Sequence, residues 1–330
     1  MIKMLMFDLK ESEEKFLDTY DTSDFEITFF KESLNKNTKL SVKECDETTI
    51  LSVFITSNIT KEVLDKFKNL RIIATRSICY KHIDLEECRR RNIAVINTTE
   101  YGRNAVSQFV IAMVFNLTRN IIKASGNVKK GISLFEKYEG VNINKLSLGV
   151  IGTGSIGSAV CELAHKLGMK VYANDFVINK DITAFTEYIS FNDLIRLSDI
   201  ISIHIPYSKD YYHLFSDKQF EIMKKNSYII NISNEEFIDN ISLYKAVKTR
   251  KIKGGAIDII IEEDKNIFDK NLPKEELQEI LIRQKLIDSK NIIVTPRIAY
   301  DTKESLENIL ISNFHDIKDF FIGRKSNRVV

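Results

Sequence analysis

Ser147-Leu-Gly-Val-Ile-Gly-Thr-Gly-Ser-Ile-Gly157, followed one helix later by Lys170-Val-Tyr-Ala-Asn-Asp175, is the stretch whose reading decides the fold. Residues 148–151 are apolar and partly β-branched, which predicts a buried parallel strand. Gly152, Gly154 and Gly157 then give G-x-G-x-x-G spacing at a turn into a helix. In such a turn the first glycine permits the tight bend. The second lets a pyrophosphate approach the backbone, and the third lets helix pack close on strand. Ser155 and Ile156 fall in the first helical turn, where free N–H groups and the positive dipole end face the phosphates. The second strand ends in Asp175, 18 residues after Gly157 (175 − 157). An acid at that distance suits a ribose 2′-hydroxyl and repels a 2′-phosphate, which favours NAD over NADP.

Composition sets the bounds. A length of 330 residues suits two domains. With 44% hydrophobic and 28% charged residues the chain reads as a soluble globular protein rather than a disordered one. A net charge of +2 gives no reason to expect a nucleic-acid partner. Residues 109–115 are the longest apolar run, too short to span a bilayer, so no membrane partner is expected. The N-terminus reads as a first strand, not a signal peptide. Cys45, Cys79, Cys88 and Cys161 form no C-x-x-C pair and lack a histidine at metal-ligand spacing. Reduced thiols in a cytoplasmic protein, without a metal, are the expectation.

Strand patterns at residues 2–7, 25–30, 50–56, 70–74 and 93–95 alternate with helical patterns at 12–20, 60–67 and 85–90. Further strands are predicted at 200–203, 228–232, 255–259 and 292–294. Alternation of this kind predicts parallel, doubly wound sheets of the α/β class. Residues 104–122 read as one long helix, apolar on more than one stripe and so buried between domains or subunits. Residues 302–321 form a terminal helix, and the tail 325–330 is expected to be loose.

Several separate stretches together resemble the D-2-hydroxyacid dehydrogenases, nearest to their D-lactate dehydrogenase branch. They are Thr75-Arg-Ser-Ile-Cys-Tyr-Lys-His-Ile-Asp84, Tyr101-Gly-Arg-Asn-Ala-Val106, the glycine turn, Asp199-Ile-Ile-Ser-Ile-His-Ile-Pro206, Tyr228-Ile-Ile-Asn-Ile-Ser233, Gly254-Gly-Ala-Ile-Asp258 and Thr295-Pro-Arg-Ile-Ala-Tyr-Asp-Thr302. The resemblance implies a Rossmann-type NAD domain, residues 103–298, inserted in a flavodoxin-like substrate domain, residues 1–102 and 299–330. It implies a homodimer, a small 2-oxo or 2-hydroxy acid or other small anion as substrate, and hydride exchange with NADH. On the cofactor side it adds Ile205, Pro206, Tyr211, Ile232, Ser233, Asn234 and Asp258 to the glycines and Asp175. On the substrate side it points to Ser77, Ile78, Cys79, Tyr101 and Tyr300.

The departures bear on the chemistry. The family reduces a 2-oxo acid with an Arg that holds the carboxylate, a His that protonates the forming alkoxide, and a Glu that orients the His. Glu263 keeps the place of the Glu. Asn234 stands at the Arg position and Arg297 at the His position. Cys79 stands where the family has a Gly, and its side chain is expected to crowd the loop. An arginine does not give up its proton near neutral pH, and loss of a general acid costs about 10²–10⁴-fold. The expectation is therefore an intact NAD site with weak or altered activity on 2-oxo acids. The alternative is an inactive NAD-binding homologue serving as redox sensor or partner subunit. Arg297 could pair with Glu263 and hold an anion, with Tyr101 or Tyr300 as substitute acid.

Overall fold

The structure is a computed structural model that describes residues 1–99, 102–132, 138–259 and 273–330. The chain forms two compact units, Met1–Tyr101 with Asp301–Val330 and Gly102–Tyr300. The sequence-based boundary at 298/299 moves, because Ala299 and Tyr300 belong with the second unit.

The first unit runs β1 (Ile2–Met6), α1 (Glu11–Leu17), β2 (Phe25–Phe29), α2 (Val42–Glu47), β3 (Ile50–Val53), α3 (Lys61–Leu64), β4 (Ile72–Thr75), α4 (Leu85–Arg90) and β5 (Ala94–Asn97). Its five strands are parallel in the order β2-β1-β3-β4-β5, the flavodoxin-like arrangement. Successive residues of each strand feed opposite faces. Leu5, Leu51 and Val53 enter one apolar cluster, and Met4, Met6 and Ile50 enter the other, which also takes Leu310 and Phe314 from the terminal helix Lys303–Phe321. Burial on both faces explains why β3, β4 and β5 read as mostly apolar runs, unlike the edge strand β2, where Glu26 is exposed.

The tail is not loose. Val329 N donates to Val95 O at 2.7 Å and Asn97 N donates to Asn327 O at 3.1 Å. Val329 and Val330 pack against the core. β5 is an edge strand, and the returning tail satisfies backbone groups that an edge leaves unpaired.

The second unit opens with α5 (Arg103–Arg119) and α6 (Ile121–Lys129) where one helix is expected from the sequence. Asn120 has φ 54°, in the left-handed region, and the two helices meet at a 64° bend. Asparagine tolerates that conformation better than most residues. No single helix among the described residues is long and apolar enough to cross a membrane. The unit continues with β6 (Ser147–Ile151), α7 (Ser155–Lys166), β7 (Lys170–Asn174), β8 (Glu187–Tyr188), α8 (Phe191–Leu197), β9 (Ile200–Ile203), α9 (Asp217–Ile222), β10 (Tyr228–Asn231), α10 (Asn240–Lys248), β11 (Gly254–Asp258), α11 (Lys274–Ile287) and β12 (Ile292–Thr295). Seven parallel strands lie in the order β12-β11-β10-β9-β6-β7-β8. The strand order reverses between β6 and β9, so a crevice opens at the carboxyl ends of these two strands. In doubly wound folds ligands bind at such a switch point.

Candidate functional site

The glycine turn sits at that switch point. Gly152 has φ +89°, and a Cβ there would lie 2.7 Å from the carbonyl carbon and oxygen of His204. Only glycine allows β6 and β9 to approach so closely at their ends. His204 N donates to Ile151 O at 2.7 Å and fixes this register. The His204 ring lies 2.8 Å from Ser202 Oγ. Burial pushes its pKa down to about 4, so it is neutral near pH 7.

Gly154 is the N-cap of α7 and gives its first turn no side-chain cap. A Cβ on Gly154 would meet nothing within 4 Å, and Gly154 and Ser155 are exposed. Uncapped N–H groups therefore face open space, which fits a pyrophosphate. Gly157 is the opposite case, since a Cβ there would lie 1.9 Å from Gly152 O. Asp175 closes the far side, just beyond β7. Its Oδ2 accepts from Thr153 N at 2.5 Å and Thr153 Oγ1 at 3.0 Å. Burial raises its pKa, but bonds from the backbone and hydroxyl of Thr153 and from the Val177 backbone outweigh burial and hold it below the usual carboxylate range. It is an anion at neutral pH. The residues present thus fit a dinucleotide carrying a free ribose 2′-hydroxyl.

The loops after β9 and β10 are tied together. Ser233 Oγ donates to Ile203 O at 2.7 Å. Ile205 and Tyr211 pack against the core cluster of this face, Tyr211 edge-on to Phe237 at 6.3 Å. Pro206 is exposed, and Ile232 and Ser233 are half-buried. Asn234 caps the short 3₁₀ turn Glu235–Phe237, its Oδ1 accepting from Glu236 N at 2.9 Å. Its backbone carbonyl accepts from Asn231 Nδ2 at 2.8 Å.

Asp258 ends β11 and is 6% exposed. Its Oδ1 accepts from Thr295 Oγ1 at 2.6 Å and from Ile298 N at 2.9 Å, and its Oδ2 from Ala299 N at 2.8 Å. Both oxygens are therefore engaged by the loop that carries Arg297. Arg297 sits at φ 54°, half-buried, with Arg297 N donating to Thr295 O at 3.0 Å. An arginine in the left-handed region is uncommon and costs on the order of 1–3 kcal/mol. The Asp258 clamp holds it there. Its guanidinium makes no hydrogen bond or ion pair among the described residues. We predict that Asp258→Ala, which strands two N–H groups, destabilises the protein by about 2–5 kcal/mol. The check is chemical denaturation of the variant against the parent, and an unchanged midpoint would count against the clamp.

In the first unit Ser77 is buried, and its Oγ donates to Cys79 O at 2.5 Å. Asn97 Nδ2 donates to Ile78 O at 3.0 Å. Ile78 is exposed and Cys79 half-buried. The Cys79 backbone stays outside the left-handed region, so a residue with a side chain fits that backbone. The other three thiols are buried, and burial pushes Cys88 up to about 11 and Cys161 up to about 12. Tyr300 lies in the second unit, half-buried. Tyr101 and Glu263 lie outside the described residues. Sequence reading missed Thr153, Tyr188 and Thr295, which act through Asp175 and Asp258. No local motif joins them, because the partners lie 22 to 37 positions apart.

Residues 111–299, more than half of the chain, match the family model described as D-isomer specific 2-hydroxyacid dehydrogenase, NAD binding domain. A 2-hydroxyacid dehydrogenase homolog of Haemophilus influenzae is 28% identical, over 96% of this chain and 96% of its own length. Among solved structures, a D-lactate dehydrogenase of Aquifex aeolicus complexed with NAD and lactic acid is 30% identical, covering 97% of this chain and 96% of that one, with a TM-score of 0.79. The apo D-lactate dehydrogenase of Escherichia coli covers 100% of both chains at 25% identity and a TM-score of 0.85. This chain belongs to the D-isomer specific 2-hydroxyacid dehydrogenase family and carries that family's NAD-binding domain.

Proposed function

We propose that this protein is a cytoplasmic, homodimeric NAD(H)-dependent oxidoreductase with altered handling of small 2-oxo acids. The observation that carries the reading is Arg297, a permanent cation where the family resemblance places the proton donor. NADH supplies the hydride when bound. Gly152, Gly154, Ser155, Ile156 and Gly157 receive its pyrophosphate, and Asp175 its ribose. The loops carrying Ile205, Pro206, Tyr211, Ile232, Ser233 and Asn234 line the nicotinamide side, with Asp258 acting through the Arg297 loop. Arg297 holds an anionic substrate, supported by Glu263. The loop Ser77–Cys79 binds the substrate carboxylate through backbone N–H groups. The proton comes from a tyrosine, Tyr101 or Tyr300, whose reference pKa of about 10 makes it a slow donor. Exposed apolar residues on α6, Ile121, Ile122 and Val128, suit a subunit contact.

One observation favours a second reading, an NAD-binding homologue without turnover that serves as a sensor. Asn234 is neutral, and its side chain is held to the backbone by the Glu236 N–H, so this position offers a substrate carboxylate no cation. The deciding experiment follows NADH oxidation at high protein concentration with pyruvate, bulkier 2-oxo acids and glyoxylate, with NADH binding measured in the same sample. Turnover on any of them is the expected result. Tight NADH binding with no turnover on all of them would overturn the enzyme reading and leave the sensor.

A further inference from the structure

A directed chain of hydrogen bonds ends on the carboxylate of Asp175. Asn179 N donates to Tyr188 Oη at 3.0 Å. Tyr188 Oη donates to Thr153 Oγ1 at 2.9 Å. Thr153 Oγ1 donates to Asp175 Oδ2 at 3.0 Å, beside the 2.5 Å bond from Thr153 N. Each hydroxyl in the chain accepts once and donates once, so every proton has a fixed place. Thr153 is 2% exposed, and its carbonyl accepts from Asn179 Nδ2 at 3.4 Å. Tyr188 comes from β8, the edge strand next to β7. Oδ2 is thus saturated from the protein side. Oδ1 accepts the long 3.3 Å contact from Val177 N, and the Phe176 backbone N–H also reaches the carboxylate. No side chain among the described residues is shown to bond Oδ1, which is the oxygen left to face a ribose.

We propose that Thr153 and Tyr188 are positioning residues for cofactor choice: they lock the Asp175 carboxylate with one oxygen turned to the ribose, and so set the preference for NAD(H) over NADP(H). The inference rests on Asp175 being the ribose partner. A carboxylate fixed in this way gains a hydrogen bond from a free 2′-hydroxyl and cannot turn aside from a 2′-phosphate. Once the lock is cut, the carboxylate rotates, loses the bond and relieves the repulsion. The hydrogen bonds also keep Asp175 ionised against its partial burial.

The test uses the full chain and direct fluorescence titration with NADH and with NADPH, for Thr153→Val, Thr153→Ser, Tyr188→Phe and Asp175→Ala. In Thr153→Val the ratio of NADPH to NADH dissociation constants should fall about 3- to 10-fold, within the net worth of one ordinary hydrogen bond, since the Thr153 N–H keeps its own bond to the carboxylate. Thr153→Ser should restore the parent ratio, and Tyr188→Phe should fall between. The loss of NADH affinity on acidification should begin at higher pH in Thr153→Val, because Asp175 then protonates more readily. An unchanged ratio in Thr153→Val and Tyr188→Phe, with a lowered one in Asp175→Ala, would overturn the proposal alone. An unchanged ratio in Asp175→Ala as well would overturn the ribose assignment beneath it. Should Thr153→Val fail to fold, Tyr188→Phe on the edge strand decides by the same readout.

Discussion

The double reversion Asn234→Arg with Arg297→His should raise pyruvate reduction by about 10²–10⁴-fold, the range a general acid contributes. The two changes act on different parameters. Arg297→His supplies a group that can give a proton to the forming alkoxide, so kcat should rise. Asn234→Arg supplies a fork of N–H donors for the substrate carboxylate, so KM should fall. The backbone accepts both substitutions. Position 297 has φ 54°, a region where histidine is enriched among non-glycine residues, and the Asp258 clamp acts only on backbone N–H groups and Thr295. Position 234 loses the cap on Glu236 N, at about 1 kcal/mol, which a folded protein of ordinary stability absorbs. The pH profile is the cleanest reading. A histidine acid works only when protonated, so the gained rate should be present at low pH and disappear as pH rises through the imidazole pKa. Steady-state kinetics of the single and double variants across pH check this. A flat rate in the double variant would place the defect elsewhere, in the Cys79 loop or the shape of the substrate site.

The frame was legible in the sequence for a physical reason. A parallel strand buried on both faces is dominated by apolar residues, so β3, β6, β9 and β10 announce themselves. The glycine turn was equally legible, because the tight bend and the close packing of helix on strand leave no alternative at Gly152 and Gly157. What stayed hidden depended on partners far away in sequence. Asp258 reads as a cofactor-side residue, yet its oxygens are tied to a loop nearly forty positions on. The tail reads as loose because no local pattern shows that β5 lacks an outer neighbour. The break at Asn120 was concealed by apolar periodicity that continues across it. α2 was missed although its signal is local: Ser41 Oγ accepts from Glu44 N at 3.2 Å and Glu44 Oε2 accepts from Ser41 N at 2.7 Å, the S-x-x-E capping box. At the site, the substitutions at 234 and 297 were visible by resemblance. Their local fixation, one by a 3₁₀ cap and one by a buried carboxylate, was not.

Gly157→Ala and Gly154→Ala, each one methyl in the same turn, should part company completely. At Gly157 the new Cβ would fall 1.9 Å from the Gly152 carbonyl oxygen and 3.3 Å from His204 Cβ. The first obstacle is backbone, so no rotamer change relieves it, and α7 must slide away from β6. Overpacking of this kind costs about 1–3 kcal/mol or more, and the slide pulls the N–H groups of α7 off their aim. Gly157→Ala should therefore lower Tm by several degrees and lose NADH binding together. At Gly154 the methyl meets nothing within 4 Å, and the backbone, at φ −65°, is open to any residue. Its Tm should match the parent. Yet the methyl would stand in the open space before α7, where phosphate oxygens must come within hydrogen-bond reach of the backbone. NADH affinity should then fall tenfold or more, about 1.4 kcal/mol or above. Thermal melts with and without NADH, alongside NADH titration, separate the two outcomes. Equal NADH affinity in Gly154→Ala and parent would mean that the pyrophosphate does not lie over this turn, and the reading of the whole crevice would have to move.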